Sequence, residues 1–128
     1  SVPVMSLDIL PTGLAAAGAD ISAFDGVNLL PILRGHTASL PRRYLHWRYN
    51  GGVDRATREQ NGHFKLLRSM SNVYQGDIKT MLFNVTADPE ERHDLSTVYP
   101  AKYAELKAAW EAWEDDMAPP LWGATWYI

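Results

Sequence analysis

The sequence predicts an α+β domain in which a short antiparallel sheet of three to four strands is packed by a long C-terminal helix. Asn61-Gly62 stands between two strand-like runs and is a strong hairpin signal, and tight hairpins join antiparallel strands. Near the C-terminus, large apolar side chains recur three or four residues apart, which places them on one helix face. These residues are Tyr99, Tyr103, Leu106, Trp110, Trp113 and Met117.

The C-terminal helix is predicted from about Pro100 to Met117. Pro100 fits the first helical turn, and the pair Pro119-Pro120 ends the helix. Each large side chain of the stripe contributes about 1.5–3 kcal/mol when it is buried. We therefore expect this helix to cover one side of the sheet.

Runs of aromatic and apolar residues predict the strands, at 43–49, 53–58, 63–68 and 81–85. In the third run, Phe64, Leu66 and Arg68 share one face because side chains alternate along a strand. The interval 69–80 is polar and is predicted to be a loop. Short helices are expected before the sheet, one after Ser6 as its cap and one at 28–34, each followed by a glycine.

Composition excludes several classes of function. The chain has 128 residues, a net charge of −3 with scattered basic residues, and no cysteine. A disulfide framework, a thiolate metal site and a cysteine nucleophile are therefore excluded. The charge argues against nucleic acid as a partner, and no apolar run approaches the roughly 20 residues of a membrane span.

One segment, residues 81–95, combines a strand with a corner. Met81 to Val85 is predicted to be the last strand. The corner carries the signals of a helix start, because Asp88 can cap, Pro89 suits the first helical position and Glu91 lies three residues after the cap.

The candidate binding residues are His46 and Arg48, at a strand end beside Gly51-Gly52. Loops at strand ends often carry ligand contacts, and a cationic pair there can bind an anion such as a sulfate ester. A plain strand with a surface arginine explains the same pattern. No metal site is expected, since the four histidines are dispersed and the acidic residues near Asp88 are explained by capping.

Four segments in order resemble the C-terminal third of sulfatases of the alkaline-phosphatase-like superfamily. They are Ser6–Thr12 with 15–18, Asp25–Gly35, the strands Tyr44–Arg48, Arg55–Arg58 and Gly62–Leu67, and Leu82–Leu95. The resemblance implies the small C-terminal subdomain, with the nucleophile, the Ca²⁺ ligands and the sulfate-holding groups in a missing N-terminal catalytic domain. No catalytic residue can be carried over to this chain.

Ser39-Leu40-Pro41-Arg42-Arg43 fits the bare pattern that sulfatases convert to formylglycine. In the family a Thr-Gly element at a helix start follows that pattern, whereas a strand-like run follows it here. We therefore expect no modification at Ser39, and no cofactor in this chain. Ca²⁺ and formylglycine are implied only for full-length members.

The resemblance implies part of a hydrolase of sulfate monoesters, acting on a sulfated carbohydrate and inactive without its catalytic domain. Two alternatives stay open. One is a stand-alone binding module for anionic sugars that uses His46, Arg48 and the tail aromatics Trp122, Trp126 and Tyr127. The other is part of a phosphate or phosphonate ester hydrolase of the same superfamily. The resemblance suggests a periplasmic or secreted location.

The predicted boundary lies at residue 35. Residues 1–35 resemble the edge of the large domain, and residues 36–128 the C-terminal subdomain. An apolar face at Leu7, Leu10 and Leu14 would then lack its partner. We expect that region to be poorly ordered, packed in a makeshift way, or buried by self-association, and the tail 121–128 to behave similarly.

Overall fold

The computed structural model describes residues 2–41, 43–70 and 77–121. The chain divides into two compact units, Ser1–Arg43 and Tyr44–Ile128. The first unit thus ends at residue 43, whereas the sequence placed a boundary at residue 35. The assignment of residues 1–35 to the edge of a larger domain stays a prediction.

The first unit contains two short helices, as expected. A 3₁₀ turn, Ser6–Asp8, continues into α1, Ile9–Ala16, and α2 spans Leu30–Leu33. The residue at the N-cap position of the 3₁₀ turn is Met5 rather than Ser6, and the Met5 side chain makes no capping hydrogen bond. Leu7 and Leu10 of the predicted apolar face are 54% and 57% exposed. What covers this face, including a second copy of the chain, stays a prediction.

Asp8 is the polar centre of the first unit, although no sequence pattern predicts this role. Its carboxylate is fully buried, accepts the Met5 and Val27 N–H groups at 2.9 Å each, and pairs with the Arg43 guanidinium at 2.6 Å. Burial alone would raise the pKa of Asp8. These hydrogen bonds and the Arg43 charge together have the larger effect, so the pKa of Asp8 lies below its ordinary value and the carboxylate stays ionised.

The second unit contains a four-stranded antiparallel sheet, which confirms the predicted fold class. The strands are β1, Tyr44–Tyr49; β2, Asp54–Glu59; β3, Phe64–Met70; and β4, Ile78–Asn84. Their spatial order is β1-β2-β3-β4. β3 and β4 extend into the interval predicted to be a polar loop, because pairing continues as far as Met70 opposite Ile78.

The C-terminal helix, α3, spans Pro100–Asp115 and packs on one face of this sheet. Leu66, Leu82, Leu106 and Trp110 form the buried cluster between them. Partly buried side chains surround the cluster, namely Tyr44, Phe64, Leu95, Tyr103 and Trp113. The aromatic stripe therefore faces the sheet as predicted, and the helix ends two residues before Met117.

Strand register assigns each side chain to a face. Residues directly opposite each other point to the same side of a sheet. The row His46, Thr57, Leu66 and Leu82 thus lies on the side of α3, which we call the helix face. Trp47 and Ala56, one residue along each strand, lie on the opposite side, which we call the outer face.

The corner after β4 is a turn without a helix, so the helix start predicted at Asp88 is wrong. The Asp88 carboxylate does accept backbone N–H groups, those of Arg92 and His93 at 2.9 Å each. However, Glu91 has a φ of 56°, and this left-handed conformation does not continue a helix. The chain then returns to β4, where the Leu95 N–H donates to the Leu82 carbonyl at 2.7 Å.

No helix within the described parts of the chain combines the length and the hydrophobicity that crossing a membrane requires.

Candidate functional site

The candidate site lies at the turn between β1 and β2. Asn50, Gly51 and Gly52 have φ values of 53°, 60° and 86°, three left-handed residues in succession. Asparagine and glycine tolerate this conformation better than other residues, which explains the Asn-Gly-Gly sequence. A Cβ at Gly52 would meet Pro120 Cγ at 3.4 Å and Arg48 Cδ at 3.5 Å. The turn is thus strained backbone in close contact with the end of α3, a feature often found at functional sites.

A groove of about 540 Å³ opens beside this turn, and we call it the turn groove. One wall is Arg48 with Tyr49 and the turn itself, and the other is the segment Met117–Leu121. Tyr49 is 79% exposed, so its ring is free to contact a ligand. The predicted tail aromatics Trp122, Trp126 and Tyr127 come after Leu121 in the sequence and lie outside the described residues.

Arg48 heads a row of three arginines on the helix face. Arg48 is directly opposite Arg55, and Arg55 is directly opposite Arg68. Like charges in directly opposite positions destabilise a strand pair. We call Arg48, Arg55 and Arg68 the arginine row. Sequence reasoning missed Arg55 and Arg68, and only the strand register, which depends on turn lengths, places them beside Arg48.

Groups on α3 compensate part of this charge. Glu114 pairs with Arg55 at 2.5 Å and lies 3.9 Å from Arg48. The Trp110 ring lies 5.0 Å from the Arg55 guanidinium carbon and 6.0 Å from that of Arg68, within the range of cation–π attraction. With Trp113, whose ring lies 6.0 Å from the Arg48 guanidinium carbon, one carboxylate and two indoles thus face three cations and offset only part of their charge.

The surroundings of Arg55 nevertheless disfavour its charged form. Burial lowers the pKa of Arg55 from its ordinary value, Glu114 raises it, and Arg68 and Arg48 lower it again. Its Nε atom is buried and finds no acceptor among the described residues. The arginine row therefore keeps a net positive potential beside the turn groove, which favours an anion there.

Arg48 lines the turn groove. One of its guanidinium nitrogens donates to the Ala118 carbonyl at 3.0 Å, and the guanidinium lies 6.0 Å from the Trp113 ring. These contacts hold the side chain against the end of α3. Binding of substrate by Arg48 stays a prediction.

His46 lies beneath α3 instead. Its ring stacks on Trp113 with a centroid distance of 5.0 Å and an interplanar angle of 8°, and its Nδ1 is 2.9 Å from Thr57 Oγ1. Burial lowers the pKa of His46 to about 4, so the ring is neutral at pH 7 and supplies no positive charge. Its predicted contact with substrate, which also remains untested, would therefore act through hydrogen bonding or through the position of Trp113.

The described residues contain no group of three or more histidine, aspartate or glutamate side chains that could hold a metal ion. Ser39 lies in an irregular segment between α2 and β1, exposed to solvent and outside any helix start. The absence of a cofactor from this chain stays a prediction.

No protein-family model and no curated protein matches the chain in sequence. Solved structures do match. Ps i-CgsB is 28% identical with a TM-score of 0.71, over 97% of this chain and 27% of that chain. BT4656, solved with its substrate D-glucosamine-2-N,6-O-disulfate, is 25% identical with a TM-score of 0.61, over 89% and 25%.

A proposed sulfatase from Bacteroides thetaiotaomicron VPI-5482 is 26% identical with a TM-score of 0.57, over 85% of this chain and 23% of that chain. The chain therefore spans about a quarter of the length of these structural neighbours. The shared fold and the four sequence motifs together place this chain with the sulfatases, as a counterpart of their C-terminal subdomain.

Proposed function

We propose that this chain is the C-terminal part of a hydrolase that cleaves sulfate monoesters of a sulfated carbohydrate. The observation that carries the proposal is the structural likeness to sulfatases, including BT4656, whose substrate is a sulfated glucosamine. The proposed protein acts outside the cytoplasm, in the periplasm or after secretion.

The turn groove supplies the groups that are proposed to bind the sulfate ester and its sugar. A sulfate ester keeps a negative charge at neutral pH, and guanidinium groups bind such oxygens through charge-assisted hydrogen bonds. Arg48 is the proposed contact, with the potential of Arg55 and Arg68 behind it, and Tyr49 offers a ring beside it. Their proposed task is to bind and orient the sugar, with His46 holding Trp113 under Arg48.

The bond-breaking step is proposed to need the missing N-terminal domain. Formylglycine and Ca²⁺ would supply the nucleophile and charge neutralisation there; in support, the described residues of this chain contain no group of three or more histidine, aspartate or glutamate side chains that could hold a metal ion. This chain alone is therefore proposed to be inactive.

Turnover of an aryl sulfate tests the proposal. The purified 128-residue chain should show none, whereas a longer protein with a Cys-x-Pro-x-Arg run and nearby aspartates upstream should show turnover. An aryl phosphate and an aryl phosphonate monoester serve as parallel substrates. Turnover by the short chain, or a preference of the longer protein for either phosphorus ester, contradicts the proposal.

A binding module for anionic sugars is the second candidate, and the exposed Tyr49 beside Arg48 favours it. Both candidates bind sugar. They differ in whether a catalytic domain precedes this domain in the same protein. A native gene product that contains this domain without an upstream catalytic domain, yet binds a sulfated sugar saturably, would support the module.

A further inference from the structure

A second groove, with a volume of about 440 Å³, lies on the outer face of the sheet, and we call it the outer groove. Its floor comes from β1, β2 and β3, and its wall comes from the segment after β4. The lining residues are Trp47, Ala56, Arg58, Lys65, Val85, Pro89 and Glu91. None of them lines the turn groove, so the two grooves are separate sites.

Two cations meet in the floor of the outer groove. Arg58 on β2 is directly opposite Lys65 on β3. The Lys65 ammonium pairs with Glu91 at 2.6 Å, which balances one of the two charges. Among the described residues, Arg58 has no corresponding carboxylate, and its buried Nε has no acceptor.

A buried guanidinium N–H without an acceptor costs free energy, and such groups are rare in native proteins. An anionic ligand in the outer groove would balance the second charge, because the Arg58 side chain lines that groove. Hydrogen bonds between a guanidinium and an anion are charge-assisted and stronger than neutral ones.

Trp47 adds an apolar surface to the same floor. Its side chain is 42% exposed, although tryptophan is the largest apolar residue and α3 covers only the other face. Val85 and Pro89 add apolar wall. An aromatic ring beside a cation suits a ligand with an apolar ring face and an anionic substituent.

We propose that the outer groove binds an O-sulfated sugar residue, with the sulfate on Arg58 and the ring face of the sugar on Trp47. The choice of sulfate over another anion rests on the proposed function. The site itself goes beyond that function, because it lies on the opposite face from Arg48 and contains neither predicted binding residue.

Binding of D-glucosamine-2-N,6-O-disulfate to the purified chain, followed by calorimetry and by the indole N–H NMR signal of Trp47, tests the proposal. We expect saturable binding that is stronger than that of N-acetylglucosamine, which lacks sulfate, or of inorganic sulfate, which lacks the ring. Arg58→Gln should weaken the binding about tenfold, the size expected for one charge-assisted hydrogen bond. Arg58→Lys should weaken it less, and Trp47→Ala should remove the advantage over inorganic sulfate.

Two matched controls accompany these variants. Lys107→Gln removes one positive charge from the exposed surface of α3, and Phe24→Ala removes an aromatic ring that is 40% exposed and lines neither groove. Neither should change the Trp47 signal. Urea unfolding of each variant separates lost binding from lost folding.

Three results would overturn the proposal. One is an absence of saturable binding by the folded chain. Another is equal affinity of Arg58→Gln and Lys107→Gln. The third is a change of oligomeric state in Trp47→Ala without a change in sugar affinity, which would make the outer groove a contact with protein. None of these readouts depends on turnover, so the proposed function can fail or hold independently.

Discussion

The two faces of the sheet treat the same electrostatic problem differently. On the helix face, the arginine row places three cations side by side on neighbouring strands. Arg55, in the middle, forms an ion pair with Glu114 of α3 and a cation–π contact with the Trp110 ring. On the outer face, Arg58 and Lys65 are also directly opposite each other, but Glu91 forms an ion pair only with Lys65. The difference shows that register creates like-charge pairs on both faces, and that the carboxylates of the neighbouring segments balance only some of these charges.

The largest expected effect belongs to the core of the helix face. Leu82→Ala should lower the free energy of unfolding by about 3 kcal/mol, because Leu82 is fully buried against α3 and truncation leaves a cavity. Urea denaturation measures the change. Leu121→Ala, at a side chain that is 86% exposed, is the control and should stay within about 0.5 kcal/mol. Similar losses for the two variants would contradict the described core.

Glu114→Gln should have the next largest effect. It removes the carboxylate that balances Arg55 and should cost about 1–2 kcal/mol, since both side chains are more than three-quarters buried. Glu111→Gln, in an exposed pair with Lys107, should cost less than about 0.5 kcal/mol. If the two variants lose equal stability, α3 does not compensate the arginine row through Glu114.

His46 makes the stability of the folded chain depend on pH. Its pKa of about 4 in the folded chain lies below the ordinary value of 6.5, so the unfolded chain binds a proton first as the pH falls. The stabilisation is complete above pH 6.5 and is lost progressively between about pH 6.5 and 4. His46→Phe keeps an aromatic ring on Trp113 and should flatten the urea midpoint across that window. An unchanged slope in His46→Phe would assign the pH dependence to other groups.

Trp47→Ala should have the smallest effect on stability. A side chain that is 42% exposed on the uncovered floor of the outer groove loses little packing, so we expect a change within about 1 kcal/mol. Trp110→Ala is the matched comparison on the helix face, where the indole is 7% exposed and should cost about 3 kcal/mol or more. A large loss in Trp47→Ala would mean that the Trp47 ring belongs to the packed part of the outer face, where Leu45, Met81 and Phe83 are buried.

Much of the fold could be predicted because periodic signals are local. The aromatic spacing from Tyr99 to Trp113 fixed α3 and its buried face, and Asn61-Gly62 fixed the hairpin between β2 and β3. The helix start at Asp88 failed because the same residue types close a turn equally well. Only the left-handed φ of Glu91 separates the two cases, and the sequence does not signal it.

The candidate site was less predictable because it depends on pairing across strands. Arg48 was found from its position beside a glycine turn, but its partners Arg55 and Arg68 appear only once the register is known. His46 was chosen as a cation, and burial under Trp113 makes it neutral at pH 7. The outer groove was missed for the same reason, since alternation alone does not reveal which face α3 leaves uncovered.

The central claim, that Glu114 stabilises the folded chain by balancing Arg55 whereas Arg58 of the outer face serves binding, is tested most directly by comparing Glu114→Gln with Arg58→Gln. Urea unfolding and calorimetric titration with D-glucosamine-2-N,6-O-disulfate are measured on both variants. Glu114→Gln should lose stability and keep Trp47-linked binding, whereas Arg58→Gln should keep its stability, because it removes a donor that has no acceptor, and lose about tenfold in affinity. Loss of stability in Arg58→Gln equal to that in Glu114→Gln, with unchanged affinity, would contradict the claim.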